Sequence, residues 1–203
     1  DRLAERIRRQ ALEETRRQTY QAMEALIANL NTMNSRAGAQ TPFSSINYGT
    51  DTRPEARMVM RCLLEATEAG LGGGETAIFP IQIFRVQKGV NLNPGDPNYD
   101  LFRLACRVSA KRLFPNFSFQ DAPFNAEFYR PGHPETEIAY MGCRTRVMSN
   151  VHDPSRAQTW GRGNLSFTSI NLPRLAIEAH HDVDAFFASY DRMIDLVIDQ
   201  LLD

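Results

Sequence analysis

Among the side chains able to do chemistry, Cys143 stands in the most informative surroundings. An apolar stretch, Ile138-Ala139-Tyr140-Met141-Gly142, leads into it, and Arg144-Thr145-Arg146-Val147-Met148 leads away. The apolar run stops at the cysteine, and a residue placed where a strand gives way is well positioned to meet a substrate. Gly142 has no Cβ and lets backbone approach closely. Arg144 and Arg146 can lower the thiol pKa or bind a phosphate. These residues leave two readings open, a functional thiol and a structural cysteine in a turn, and they do not identify the chemistry.

The other reactive side chains carry less information. Cys62, in Met58-Val59-Met60-Arg61-Cys62-Leu63-Leu64, and Cys106, in Phe102-Arg103-Leu104-Ala105-Cys106, sit in apolar helical contexts where a free cysteine packs as a small hydrophobe. The three cysteines form no C-x-x-C pair and no disulfide framework, which fits a reducing cytoplasm. His133, His152 and the pair His180-His181 are scattered, with no cysteine at zinc spacing, so no metal site is expected. No Gly-x-Ser-x-Gly elbow points to a serine hydrolase. Gly70 to Gly74 lacks the Gly-Lys-Ser/Thr ending of a phosphate loop and precedes a strand, so it reads as a helix-to-strand connection. Gly161-Arg162-Gly163 is equally undiagnostic by itself.

The charge balance excludes further classes. Lys and Arg number 23 against 24 acids, a net charge of −1, which offers no field for nucleic acid or an anionic membrane. Nothing approaches the roughly 18 apolar residues of a membrane span. The charged start Asp1-Arg2-Leu3-Ala4-Glu5 has no initiator Met and is no signal peptide; it reads as the interior of a longer chain. At 203 residues and 42% apolar, the chain can bury a core of its own.

The elements that must position these residues follow from periodicity. Residues 3 to about 33 contain no Gly or Pro, and Leu3, Ile7, Ala11, Met23, Leu26, Ile27 and Leu30 recur at helical spacing, predicting one long helix with a highly charged first half. Asn34 to Gly38 breaks it. Phe43 to Tyr48 leans to strand. Thr52-Arg53-Pro54-Glu55 reads as a cap with Pro in the first turn of a helix running to about Ala69. Thr76 to Phe84 is a nearly continuous apolar strand of the type buried on both faces, with Pro80 marking an irregularity or an edge. A helix from about Tyr99 to Leu113 and a strand at Asn116 to Phe119 follow. Glu137 to Gly142 and Asn164 to Leu172 read as strands, and Asp182 caps a final helix containing Phe186, Phe187, Met193, Ile194, Val197 and Leu201. Strands separated by helices predict α/β architecture, without internal repeats.

Longer motifs add a resemblance. Ala139-Tyr140-Met141-Gly142-Cys143-Arg144-Thr145-Arg146-Val147 resembles the radical-cysteine loop of the class III, anaerobic ribonucleotide reductases. The stretch from Gly161 to Arg174 (GRGNLSFTSINLPR), that from Ser35 to Asn47 (SRAGAQTPFSSIN), and Leu113-Phe114-Pro115-Asn116-Phe117 resemble the same family, in the same order. The resemblance implies a ten-stranded α/β barrel with a finger loop threading its centre and Cys143 at the finger tip. Residues 1–203 would form part of that catalytic barrel, with 1–34 a long helix available as a dimer contact and 35–203 carrying barrel strands, helices and the finger. In such enzymes a glycyl radical on a C-terminal loop takes hydrogen from the finger cysteine. The thiyl radical then removes the 3′-hydrogen of a ribonucleoside triphosphate, water leaves from C2′, and formate commonly supplies the electrons.

By position in the motifs, Asn164 would orient the substrate hydroxyls through an amide that donates and accepts without taking a charge. Gly142 and Arg144 would touch the substrate, largely through backbone. The resemblance further implies a cytoplasmic homodimer, allosteric nucleotides and a radical-SAM iron-sulfur activating enzyme as partners. The glycyl-radical loop, the zinc-binding cysteines, the nucleotide-sensing domain and the second active-site cysteine of the family have no match in this chain, and Cys62 and Cys106 do not fit that second cysteine. Two competing readings remain: another glycyl-radical enzyme on the same barrel, and a non-catalytic nucleotide-binding or dimerisation module, for which the charged long helix speaks. Residues 1–203 alone are expected to have no turnover. Anaerobic incubation with a ribonucleoside triphosphate, formate and the activating enzyme checks this, and 2′-deoxynucleotide formed by these residues alone would overturn it.

Overall fold

The computed structural model describes residues 2–34, 41–133, 136–142, 145–147, 150, 153, 155 and 167–202. The chain divides into two compact units, Asp1–Thr159 and Trp160–Asp203.

The first unit opens with α1 (Arg2–Thr32), as the Gly- and Pro-free stretch predicts. Its second half supplies Tyr20, Met23 and Ile27 to the core, whereas its charged first half leaves Leu3, Ile7 and Leu12 exposed. Strand β1 (Ser45–Tyr48) leads to α2 (Pro54–Ala69), strand β2 (Ile81–Val86), α3 (Tyr99–Arg112) and strand β3 (Asn116–Phe119). Pro54 starts α2 as expected, but Thr52 caps nothing: the preceding turn is closed by Asp51, whose Oδ1 accepts from the Arg53 N–H at 2.9 Å. The glycine run 70–74 is a stapled helix-to-strand connection. The Leu71 N–H donates to the Glu75 carbonyl, and the Arg112 guanidinium donates to the carbonyls of Glu68, Ala69 and Gly74.

β1, β2 and β3 form a parallel sheet with β2 in the centre. The apolar strand expected over 76–84 is displaced to Ile81–Val86, for a reason visible at its start. Pro80 has no N–H to give a ladder. The Asn31 side chain accepts from the N–H groups of Ile78 and Phe79 and donates to the Phe79 carbonyl, so the backbone before Pro80 is already satisfied from α1. Pro80 therefore marks the beginning of the central strand and not an edge.

Side chains alternate across the sheet, and its two faces have different jobs. Ile46, Tyr48, Phe84, Val86 and Phe117 join Met60, Leu63, Leu64, Leu101, Leu104 and Val108 in one helix-covered core. Within it the buried Tyr48 hydroxyl donates to Gln82 Oε1 at 2.7 Å, and Gln82 Nε2 donates to Thr67 Oγ1 at 2.8 Å. Burial drives the Tyr48 phenol well above its ordinary pKa, keeping it a neutral donor. By register the opposite face carries Ser45 and Asn47 on β1, Ile81, Ile83 and Arg85 on β2, and Ser118 on β3.

The C-terminal ends of β1 and β2 are locked by two buried amides. Asn91 Nδ2 donates to the carbonyls of Gly49 and Arg85, and Asn98 Nδ2 to those of Gly49 and Asp51. Beyond β3 come a short helix, α4 (Pro123–Ala126), and an antiparallel pair, β4 (Ala139–Met141) and β5 (Thr145–Val147). Among the described residues the parallel sheet is open, with three strands, and no closed barrel is formed.

The second unit contains α5 (Leu172–Glu178) and α6 (Val183–Leu202). Asn171 Oδ1 caps α5 by accepting from the Arg174 N–H, and Asp182 Oδ1 caps α6 by accepting from the Ala185 N–H, the cap the sequence predicts. The strand expected over 164–172 is not found in its described part: residues 167–171 have no regular structure and α5 starts at Leu172. A strand exists only where a partner supplies the ladder, and no such partner lies among the described residues.

Gly49 generates a stability prediction. Its φ of +127° disfavours any side chain, and a Cβ there would lie 2.5 Å from the Arg85 carbonyl oxygen. Gly49→Ala is expected to destabilise the fold by on the order of 3 kcal/mol. Denaturant unfolding checks it, and a change below about 1 kcal/mol would contradict the lock.

Candidate active site

The sequence singles out Cys143, Gly142, Arg144 and Asn164. Cys143, Arg144 and Asn164 lie outside the described residues. What is described is the frame that leads to Cys143. β4 and β5 pair in the register Ala139↔Val147, Tyr140↔Arg146 and Met141↔Thr145, so the chain reverses between Met141 and Thr145. The strand expected over 137–142 is thus one arm of a hairpin, and it is not a further member of the parallel sheet.

This hairpin is fastened to the polar face of that sheet by side chains. Asn47 Oδ1 accepts from the Tyr140 N–H at 2.9 Å, while Asn47 Nδ2 donates to the Tyr140 carbonyl at 2.8 Å. Ser45 Oγ accepts from the Gly142 N–H at 3.2 Å. Arg85, in the centre of the sheet and with a side chain only 17% exposed, pairs with Glu137 just before β4. Ile138 is buried beside these polar anchors.

Gly142 adopts φ +62°, and a Cβ there would come within 3.4 Å of the Phe43 ring. A glycine fits this left-handed position; other residues are strained in it. Among the described residues Arg146 turns toward α4. Its guanidinium donates to the Phe124 carbonyl and to Asn125 Oδ1, and lies 5.4 Å and 5.8 Å from the ring centres of Phe124 and Phe128. Committed to α4, it ties the second arm of the hairpin down.

Ser45 and Asn47 lie within the motif from Ser35 to Asn47, but that motif alone does not single them out. Their signal was visible: polar residues at alternate positions of a short strand whose other positions, Ile46 and Tyr48, are apolar. Such a strand presents one apolar and one polar face, and a polar face turned inward needs partners.

A cavity of about 90 Å³ opens at the C-terminal ends of β1, β2 and β3, lined by Thr50, Gln87, Gln120, Asp121, Tyr129 and Glu137. Ligands of α/β sheets gather at this end of the strands. A volume this far below the roughly 300 Å³ of small-molecule pockets does not hold a nucleotide by itself. Among the described residues no three His, Cys, Asp or Glu side chains converge as metal ligands, and no helix is long and apolar enough to cross a membrane.

Comparison with known proteins bears on the same residues. Residues 2–203 match the family model described as anaerobic ribonucleoside-triphosphate reductase. Proteins of that name are similar over most of the chain. The one from Salmonella typhimurium is 34% identical over 185 residues, covering 90% of this chain and 25% of the relative. The one from Escherichia coli is 33% identical over 185 residues with the same coverage. The one from Enterobacteria phage T4 is 32% identical over 197 residues, covering 95% of this chain and 32% of the relative. The chain therefore spans between a quarter and a third of the length of these relatives.

The two remaining cysteines lie on helices away from the hairpin. Cys62 on α2 is fully buried, as its context predicts. Cys106 on α3 is exposed, contrary to expectation: the buried face of α3 is Leu101, Leu104, Ala105 and Val108, and position 106 lies off that stripe. Burial raises the Cys62 thiol above its ordinary pKa, with Glu65 pushing the same way. With its thiol both inaccessible and shifted upward, Cys62 is expected to alkylate at pH 7 more slowly in the native protein than in the unfolded chain. Peptide mapping after iodoacetamide treatment reads this directly, and equal native and unfolded rates would refute it.

Proposed function

Because the chain belongs to the anaerobic ribonucleoside-triphosphate reductase family, we propose that it forms part of the catalytic barrel of such an enzyme and carries at Cys143 the thiol that reduces ribonucleoside triphosphates to their 2′-deoxy forms. In this reading β1, β2 and β3 are strands of a ten-stranded α/β barrel. The hairpin β4–β5 is the finger inside it, and the first part of α1 contributes to a homodimer contact near an allosteric nucleotide site.

The observation that carries the reading is the fastening of the hairpin. The backbone running into Cys143 is half-buried, and its polar groups at Tyr140 and Gly142 are taken by Asn47 and Ser45. Such a backbone is stiff and partly shielded from water. That suits a reactive sulfur, which must meet one C–H bond and avoid side reactions. A glycyl radical elsewhere in the protein, generated by a radical-SAM activating enzyme, would supply the acceptor for the thiol hydrogen.

The residues of this chain then have distinct tasks. The Cys143 sulfur removes and later returns the 3′-hydrogen of the ribose. The Asn164 amide orients the 2′- and 3′-hydroxyls, donating and accepting at once without a charge of its own. Gly142 and Arg144 contact the substrate through backbone, and the left-handed Gly142 keeps side-chain bulk away from it. The 2′-oxygen departs as water, and the two electrons this consumes come from formate, oxidised to carbon dioxide.

The test uses the full-length subunit, activated under anoxia. Cys143→Ser is expected to abolish 2′-deoxynucleotide formation while the glycyl radical remains visible by electron paramagnetic resonance. Asn164→Ala is expected to lower kcat by roughly 10–100-fold, the loss of orienting hydrogen bonds at about 1–3 kcal/mol. Deoxynucleotide formation by Cys143→Ser at an undiminished rate would sink the proposal.

A further inference from the structure

The hairpin could join the edge of the parallel sheet in the ordinary way, by a backbone ladder along β1. It does not: among the described residues β4 pairs with β5 alone, and its links to β1 run through two side chains. The Asn47 amide engages both the N–H and the carbonyl of Tyr140, reproducing with a side chain the pair of bonds that a neighbouring strand would make. Two residues earlier on β1, Ser45 takes the N–H that lies two residues after Tyr140, that of Gly142 just beyond β4. The contacts therefore run 47 to 140 and 45 to 142, in the antiparallel sense.

This arrangement has a geometric consequence. Residues i and i+2 of a strand lie on one face about 6.6–6.8 Å apart, so the two grips are matched in spacing on both strands. One grip fixes a point on β4; two fix a direction. The second grip falls on Gly142, and the next residue in the chain is Cys143. No ionic group contributes to either hold, and Arg85 secures only the entry to β4 through Glu137.

We propose that Asn47 and Ser45 are positioning residues for the reaction, holding the backbone of Tyr140 and Gly142 and so setting where and in what direction the chain delivers Cys143. The inference rests on the radical-cysteine reading above. Neither side chain needs to touch the substrate. Their effect passes through the backbone, so it falls on kcat more than on KM. A sulfur displaced by an ångström or so from its target hydrogen loses on the order of 100-fold in rate.

The full-length subunit carrying Asn47→Ala, Ser45→Ala, Ser45→Thr or Cys143→Ser is to be compared with the unaltered protein. The measurements are kcat and KM for ribonucleotide reduction, glycyl-radical yield by electron paramagnetic resonance, and hydrogen exchange of the Tyr140 and Gly142 amides before activation. Asn47→Ala is expected to speed Tyr140 exchange and lower kcat by roughly 10–100-fold, with KM changed by less than about threefold and radical yield unchanged. Ser45→Ala is expected to do the same more mildly at Gly142, and Ser45→Thr, which keeps the hydroxyl, to restore kcat. Faster exchange with kcat intact would overturn the proposal, as would equal impairment by Ser45→Ala and Ser45→Thr. If Asn47→Ala does not fold, the Ser45 pair decides. Activity in Cys143→Ser would instead remove the premise, whereas an inactive Cys143→Ser beside fully active Asn47 and Ser45 variants would remove only this inference.

Discussion

The structure depends on the double burial of β2. Ile81, Gln82, Ile83, Phe84 and Val86 are all nearly inaccessible, so this strand must be covered on both faces. Phe84 and Val86 face the helices, where apolar area removed from water is worth about 25 cal/mol per Å². Ile81 and Ile83 face the other way, among Ser45, Asn47, Arg85 and Ser118. Helices shield the first face, and the second meets a hairpin whose polar backbone is bonded by Asn47 and Ser45. That difference explains why one side of the sheet is a hydrophobic cluster and the other a set of specific hydrogen bonds.

Buried polar groups are costly unless paired, and those of the second face find partners in the hairpin, apart from Arg85 Nε. The Asn47 amide spends one donor and its acceptor on a single residue, and Arg85 meets Glu137. On the far arm, Arg146 is absorbed by α4. Each neutral hydrogen bond is worth only about 0.5–1.5 kcal/mol net, but an unpaired partner costs more. These contacts therefore specify one placement of the hairpin more than they add to overall stability. The exposed pairs on α1, such as Arg17 with Glu14, contribute little by comparison.

The outer edges of β1 and β3 carry no sheet partner among the described residues. Open edges expose backbone donors and acceptors that further strands can take up. The proposed barrel would pair them, and a chain spanning a quarter to a third of its relatives' length leaves room for strands contributed from outside it. The small cavity at the strand ends is too little for a nucleotide alone; in the proposed barrel these three strands would build one part of a mouth.

Much of this was legible in the sequence. The Gly- and Pro-free run gave α1, Pro54 and Asp182 marked helix starts, and β1, β3 and the α/β class followed from local patterns. Each depends on neighbours within a few residues, as a turn of helix or a strand's alternation does. The motifs around Cys143 carried the family, because residue order survives without coordinates. What required tertiary structure was every decision made across long separations. The start of β2 was set by Asn31, 47 residues before Ile78. Arg146 was brought to Phe124 and Asn125 of α4, more than twenty positions away. Cys106 was turned outward by the rotation of α3 against the core. The tie between Asn47 and Tyr140 spans 93 positions, and no local pattern reports which amide a buried asparagine will meet. Sequence determined which segments form elements and which chemistry they resemble; packing decided which polar groups face one another, because burial leaves a polar atom only the partners that the fold brings within reach.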